Sequence, residues 1–128
     1  MRSLCCALLT LAMAAPCLAG PRKPRLDLRA SPRMAMGPVN VLVMARLEGG
    51  VEHEDFHCPA LEWQWDDGSR SVHESDCEPF EADGEQAQLD RVFSAEHAYR
   101  APGVYNVRLT MKRASRNVAV ASTTVTVR

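Results

Sequence analysis

The chain has 128 residues, 46% of them apolar and 24% charged, with a formal net charge of −1. That balance supplies one packed core and excludes both a disordered polyelectrolyte and a protein that binds nucleic acid, which needs a concentrated basic surface. The longest uncharged apolar run, residues 4–18, falls short of the roughly 20 residues that cross a bilayer, so stable membrane insertion is not expected.

The first predicted element is a leader. Met1 and Arg2 precede the apolar run, and Ala19-Gly20 follow it just before a basic, proline-rich segment, which is the order of a secretory signal peptide. Cys17 and Ala19 are small residues at the two positions a signal peptidase inspects, so cleavage is expected after Ala19, giving a signal peptide over 1–19. Cys5, Cys6 and Cys17 leave with it, and Cys58 and Cys77 remain. Two cysteines in an oxidising compartment are expected to pair, and their spacing matches no zinc pattern. By chain entropy, closing a loop of this length contributes about 3 kcal/mol.

Residues 20–32 are rich in Arg and Pro and read as a flexible basic lead-in, with at most a short edge strand at Leu26–Leu28. The folded domain is expected over 33–128. Val39, Val41, Val43, Ala45 and Leu47 alternate with more polar residues until Gly49-Gly50, the period of a strand with one buried face. Leu61, Trp63 and Trp65 then share a face opposite Glu62 and Gln64, and the run ends in Asp66-Asp67-Gly68-Ser69. Asp-Gly favours a hairpin because the turn needs positive φ. With the turn centred between Asp67 and Gly68, Cys58 and Cys77 become cross-strand partners at the open end of the hairpin.

Leu89, Val92 and Phe93 lead to His97-Ala98-Tyr99, a turn at Pro102-Gly103, and a clean alternation of Tyr105, Val107, Leu109 and Met111. The last run, 118–127, is dominated by β-branched residues. Short alternating runs, turn signals between them and no sustained helical period predict an all-β sandwich.

Two segments resemble the motifs of PKD (polycystic kidney disease) domains, an immunoglobulin-like family. One is Trp63-Gln64-Trp65-Asp66-Asp67-Gly68-Ser69, a partial match to a W-D-F-G-D-G-like hairpin. The other is His97-Ala98-Tyr99-Arg100-Ala101-Pro102-Gly103-Val104-Tyr105-Asn106-Val107-Arg108-Leu109-Thr110, which meets every defined position of H-x-Y-x-x-P-G-x-Y-x-V-x-L-T. The resemblance covers roughly residues 30–128 and implies a PKD-type antiparallel β-sandwich. It implies Trp63 as the central core ring with Tyr105 buried beside it, Pro102-Gly103 as a turn, and His97 and Tyr99 as packing and hydrogen-bonding residues. Gln64 and Asp66 stand where the family has Asp and Gly, which puts any cation binding by relatives near this turn in doubt here. Asp66 is expected to take left-handed φ more readily than most residues.

Charge is segregated: the formal charge is +5 over 21–47, −13 over 48–90 and +6 over 91–128. The hairpin reading gathers ten carboxylates, from loops 48–57 and 74–85, into an acidic pole at the disulfide end. No calcium-loop spacing is present. A transition metal would recruit His53, Asp55, His57 and His73, provided the fold brought them together. No nucleophile elbow or metal-ligand motif appears, so neither catalysis nor a cofactor is expected. The leader implies an exported, periplasmic or extracellular protein, and the resemblance implies a non-enzymatic interaction, adhesion or structural module that contacts a protein or a carbohydrate. The alternative is a weak cation-binding protein using the acidic, histidine-containing loops.

Overall fold

A computed structural model describes residues 23–50, 54–80 and 91–128. They form strands β1 Arg25–Ser31, β2 Met34–Ala35, β3 Val39–Glu48, β4 Ala60–Gln64, β5 Arg70–His73, β6 Val92–Tyr99, β7 Gly103–Arg113 and β8 Arg116–Val127, with a 3-10 turn at Glu54–Phe56. The signal peptide expected over 1–19 lies outside the described residues. One sheet has the order β1-β3-β6 and the other β2-β8-β7-β4-β5. Neighbouring strands are antiparallel except β2, which runs parallel to β8.

The alternation of apolar residues becomes the core, as a period of two requires. Val41, Val43, Ala45 and Leu47 of β3 point inward, joined from the same sheet by Leu28, Ala30 and Tyr99. Opposite them lie Leu61 and Trp63 of β4, Val107, Leu109 and Met111 of β7, and Val125 and Val127 of β8, with Trp65 just past β4. Full burial of each such side chain contributes about 1.5–3 kcal/mol. Gly37 lets β2 close on β8: its N–H donates to the Arg128 carbonyl at 2.9 Å, and a Cβ there would stand 2.9 Å from Val127 Cγ1.

Two expectations need correction. The segment 20–32 is not a flexible lead-in throughout, because Arg25–Ser31 is a seven-residue strand in register with β3 from Arg25–Glu48 to Ser31–Leu42. Its inward residues Leu26, Leu28 and Ala30 do alternate with Arg25, Asp27 and Arg29, but the run is short and lies between Pro24 and Pro32 in a basic segment, which makes it read as a linker. The β4–β5 register also differs by one residue. Leu61 faces His73 and Gln64 faces Arg70, which centres the loop on Asp67. This five-residue loop is closed by the Trp65 N–H donating to the Ser69 carbonyl at 3.3 Å, with φ of 66° at Asp66 and 88° at Gly68. The cysteines lie beyond the ladder and are bonded, with Cα atoms 6.1 Å apart.

Candidate functional site

At the hairpin end the sequence motif folds into one connected cluster. Rings run in series from Trp63 to Trp65 (centroids 5.7 Å apart), His97 (4.6 Å), Tyr99 (4.8 Å) and Tyr105 (4.2 Å). Offset and edge-on ring pairs of this kind each contribute about 0.5–1.5 kcal/mol beyond burial. Tyr105 therefore does not pack beside Trp63 as expected. Trp63 is in register with Leu109, so Tyr105 lies two inward positions further along β7 and meets Tyr99. Its hydroxyl donates to the Ala101 carbonyl at 2.6 Å, which braces the turn through Pro102 into Gly103. Val107, fully buried, occupies the inward position between Tyr105 and Leu109.

Hydrogen bonds lock the loop to the strands behind it. The buried Tyr99 hydroxyl donates to the Trp65 carbonyl at 2.7 Å, and Trp65 Nε1 donates to Ser71 Oγ at 3.0 Å. Asp66 Oδ2 accepts the Asn106 N–H at 2.9 Å. Asp67 Oδ1 accepts both the Ser69 N–H, at 3.0 Å, and the Ser69 hydroxyl, an Asx turn that uses the residue's own chemistry. His97 Nε2 donates to Asp67 Oδ2 at 2.6 Å. Gly68 supplies the second left-handed residue, with nothing within 4 Å of where a Cβ would stand.

The electrostatics follow from these bonds. Partial burial opposes ionisation of Asp67, but the Ser69 hydroxyl, His97 and the Ser69 N–H together outweigh it and draw the carboxyl down to about 2. Burial pushes the Tyr99 hydroxyl far above its ordinary value, and the charges of Asp67 and Asp66 add to the effect.

Asp67, Ser69 and His97 are the residue types of a hydrolytic triad, yet their geometry is not that of a relay. A relay places the carboxylate on one ring nitrogen and the hydroxyl on the other. Here Ser69 Oγ, at 3.4 Å, and Asp67 Oδ2 both address Nε2. The serine proton is directed at the same aspartate, so the imidazole has no base–nucleophile axis.

The disulfide end holds the described candidate metal ligands, and the fold does not unite those three. His53 lies outside the described residues. Asp55 takes Arg116 at 2.9 Å and Lys23 at 3.2 Å, and the hydrogen bonds from these two cations, Arg116 foremost, hold its carboxyl below the usual range. His57 Nε2 lies 2.6 Å from the Glu78 carbonyl oxygen, and His73 Nε2 lies 3.1 Å from Ser75 Oγ. Among the described residues no three His, Cys, Asp or Glu are placed to hold a metal ion.

The expected acidic pole is also partly neutralised. Arg113 meets Glu54 at 4.0 Å and Arg25 meets Glu48 at 3.5 Å. The signal was present in the sequence: two alternating runs, 105–111 and 118–127, require a turn between them. Antiparallel order carries that turn, with Lys112, Arg113 and Arg116, to the end where loop 48–57 lies.

No protein-family model matches the sequence, and no curated protein matches it significantly. Among solved structures it is similar to the PKD domain of an M14-like peptidase from Thermoplasmatales archaeon SCGC AB-540-F20. The match covers 84% of this chain and 98% of that one, with a TM-score of 0.55 and 14% identity. The fold is thus that of a PKD domain: an all-β sandwich of two sheets with one disulfide, Cys58–Cys77.

Proposed function

We propose that the chain is an exported, non-enzymatic interaction module that binds a protein partner in the cell envelope or outside the cell. One observation carries this reading: the chemistry-bearing motif is spent on the fold. His97, Asp67, Ser69 and Tyr99 are bonded to one another or to backbone, which leaves the scaffold to present a surface. The disulfide agrees with an oxidising compartment, and among the described residues no helix is long and apolar enough to cross a membrane.

A protein partner is favoured over a carbohydrate because all seven aromatic residues are buried or half-buried. Sugar rings are held largely by stacking their C–H faces on open aromatic faces, and no aromatic ring here is fully exposed.

Capture from envelope and medium fractions by the intact exported protein tests the reading. The expected result is a saturable protein partner and a mature chain that begins at Gly20. Turnover of a peptide or glycoside that His97→Ala abolishes would sink it. Heat on titration with millimolar Ca²⁺ or Zn²⁺ would favour the cation-binding alternative.

A further inference from the structure

A cavity of 170 Å³ opens at the disulfide end, between the two sheets. Phe56, Pro59 and Leu61 form its buried floor, and Phe93 of the opposite sheet is one flank. The disulfide closes another side, with His73 and Ser75 at the exposed mouth. The rim is fixed in place by the Cys58–Cys77 bond, by His57 against the Glu78 carbonyl, and by Phe80, whose ring centroid is 5.5 Å from that of His57.

Size selects the class of occupant. Pockets for metabolite-sized ligands run about 300–1,000 Å³, whereas an apolar cavity of about 150 Å³ takes one benzene-sized group. This cavity has room for a single side chain. Charge selects the setting of that side chain. Glu74, Asp76 and Glu78 are exposed on the segment that forms the mouth, and among the described residues no cation pairs with their carboxylates. On the other side of the same pole Glu48, Glu54 and Asp55 are matched by Arg25, Arg113, Arg116 and Lys23. Among the described residues of the pole, the unmatched charge therefore lies beside the cavity.

Resting on the reading of the chain as an interaction module, we propose that this cavity is the docking pocket for a cationic protein segment. One leucine-sized side chain of the partner enters between Phe56, Leu61 and Phe93, and Lys or Arg residues on either side of it meet Glu74, Asp76 and Glu78. The buried anchor supplies most of the affinity, and the carboxylates steer the encounter and set its orientation.

The test titrates the intact exported protein with three labelled peptides: Lys-Arg-Leu-Arg-Lys, the analogue with central Ala, and the analogue with Glu in place of every Lys and Arg. The leucine peptide is expected to bind, and the alanine analogue about tenfold or more weakly, the effect of withdrawing several methylenes from an apolar site. The acidic analogue is expected not to bind. Ser75→Trp, at the exposed mouth, is expected to abolish binding while leaving the melting temperature in place. Joint replacement of Glu74→Gln, Asp76→Asn and Glu78→Gln is expected to weaken binding at low salt, with the loss narrowing at high salt.

Equal affinity for the leucine and alanine peptides overturns the proposal, because charge alone then accounts for binding. Absence of binding to folded protein overturns it as well. If a partner captured from envelope fractions binds the Ser75→Trp variant as tightly as the parent, the pocket assignment fails while the interaction-module reading stands. A chain that captures nothing removes the broader reading.

Discussion

Where β4 turns into β5, both loop carboxylates and the rings behind them are bonded within the fold, chiefly by hydrogen bonds and stacking. At the opposite end the same strands are tied by a disulfide and by ion pairs reaching in from β1, β7 and β8, and a cavity remains open. The difference separates what the motif residues do from what the surface does. Short-range bonds between partly shielded groups fix geometry and resist salt. Covalent closure and exposed ion pairs hold an end together while leaving charge and apolar surface available to a partner.

If the hairpin end is the structural anchor, the largest effect belongs there. Trp65→Ala removes the second ring of the series, the one that stacks on His97. The expected loss is about 4 kcal/mol, in the range of large core truncations, read as a lower urea midpoint. Joint replacement of Cys58→Ser and Cys77→Ser is expected to cost about 3 kcal/mol through the freed loop. The two variants should differ in kind. The disulfide variant keeps the near-ultraviolet dichroism of the tryptophan pair, because the stack does not touch the sulfurs, whereas Trp65→Ala loses it. A disulfide variant that also lost the signal would mean the two ends are not independent.

The third expectation uses pH. Asp67 ionises at about 2 in the folded protein, below its ordinary 3.8. A depressed carboxylate contributes stability that is present above the unfolded value and is lost as pH falls through the folded one. Stability should therefore decline between about pH 4 and pH 2 by about 1 kcal/mol, discounted for a side chain 27% exposed. Asp67→Asn should flatten that limb of the pH–stability curve. An unchanged limb would place the acid sensitivity elsewhere.

How much of this was legible depended on whether a feature is local. The strands around Val41 and Val107 follow from alternation alone, and the cysteine pair from its count outside the expected leader. The turn at Pro102-Gly103 and the positive φ of Asp66 follow from residue chemistry. The one-residue register difference was hidden because the loop is set by an Asx bond from Asp67 to Ser69, which no periodicity records. Tyr105 was misplaced because motif spacing says nothing about which row of the facing strand a ring meets. The pole was read as acidic because charge was counted along the chain, while the residues leading into β1 and the β7–β8 turn return Lys23, Arg113 and Arg116 to it in space. The cavity had no sequence signal, since Phe56, Leu61 and Phe93 are separate in the chain and meet only through the sheets.

The smallest expected effect discriminates most finely between the two ends. Asp55 and Asp67 both titrate below the usual range, but for different reasons. Asp55 is held by hydrogen bonds from two cations, Arg116 and Lys23, whose side chains are 65% and 58% exposed. Asp67 is held first by the neutral hydroxyl of Ser69, then by His97, whose side chain is 19% exposed, and by the Ser69 N–H. Mobile ions compete more strongly with the first arrangement, whose cations are exposed, than with the second, because the screening length shrinks to about 3 Å in molar salt. A carboxyl-carbon NMR titration in dilute and in molar sodium chloride should therefore return Asp55 toward its ordinary value and leave Asp67 low. Asp55→Asn should shift the unfolding midpoint less than Asp67→Asn, and that difference should widen with salt. If both carboxyls moved together, the contrast between a hydrogen-bonded end and an ion-paired end would not hold.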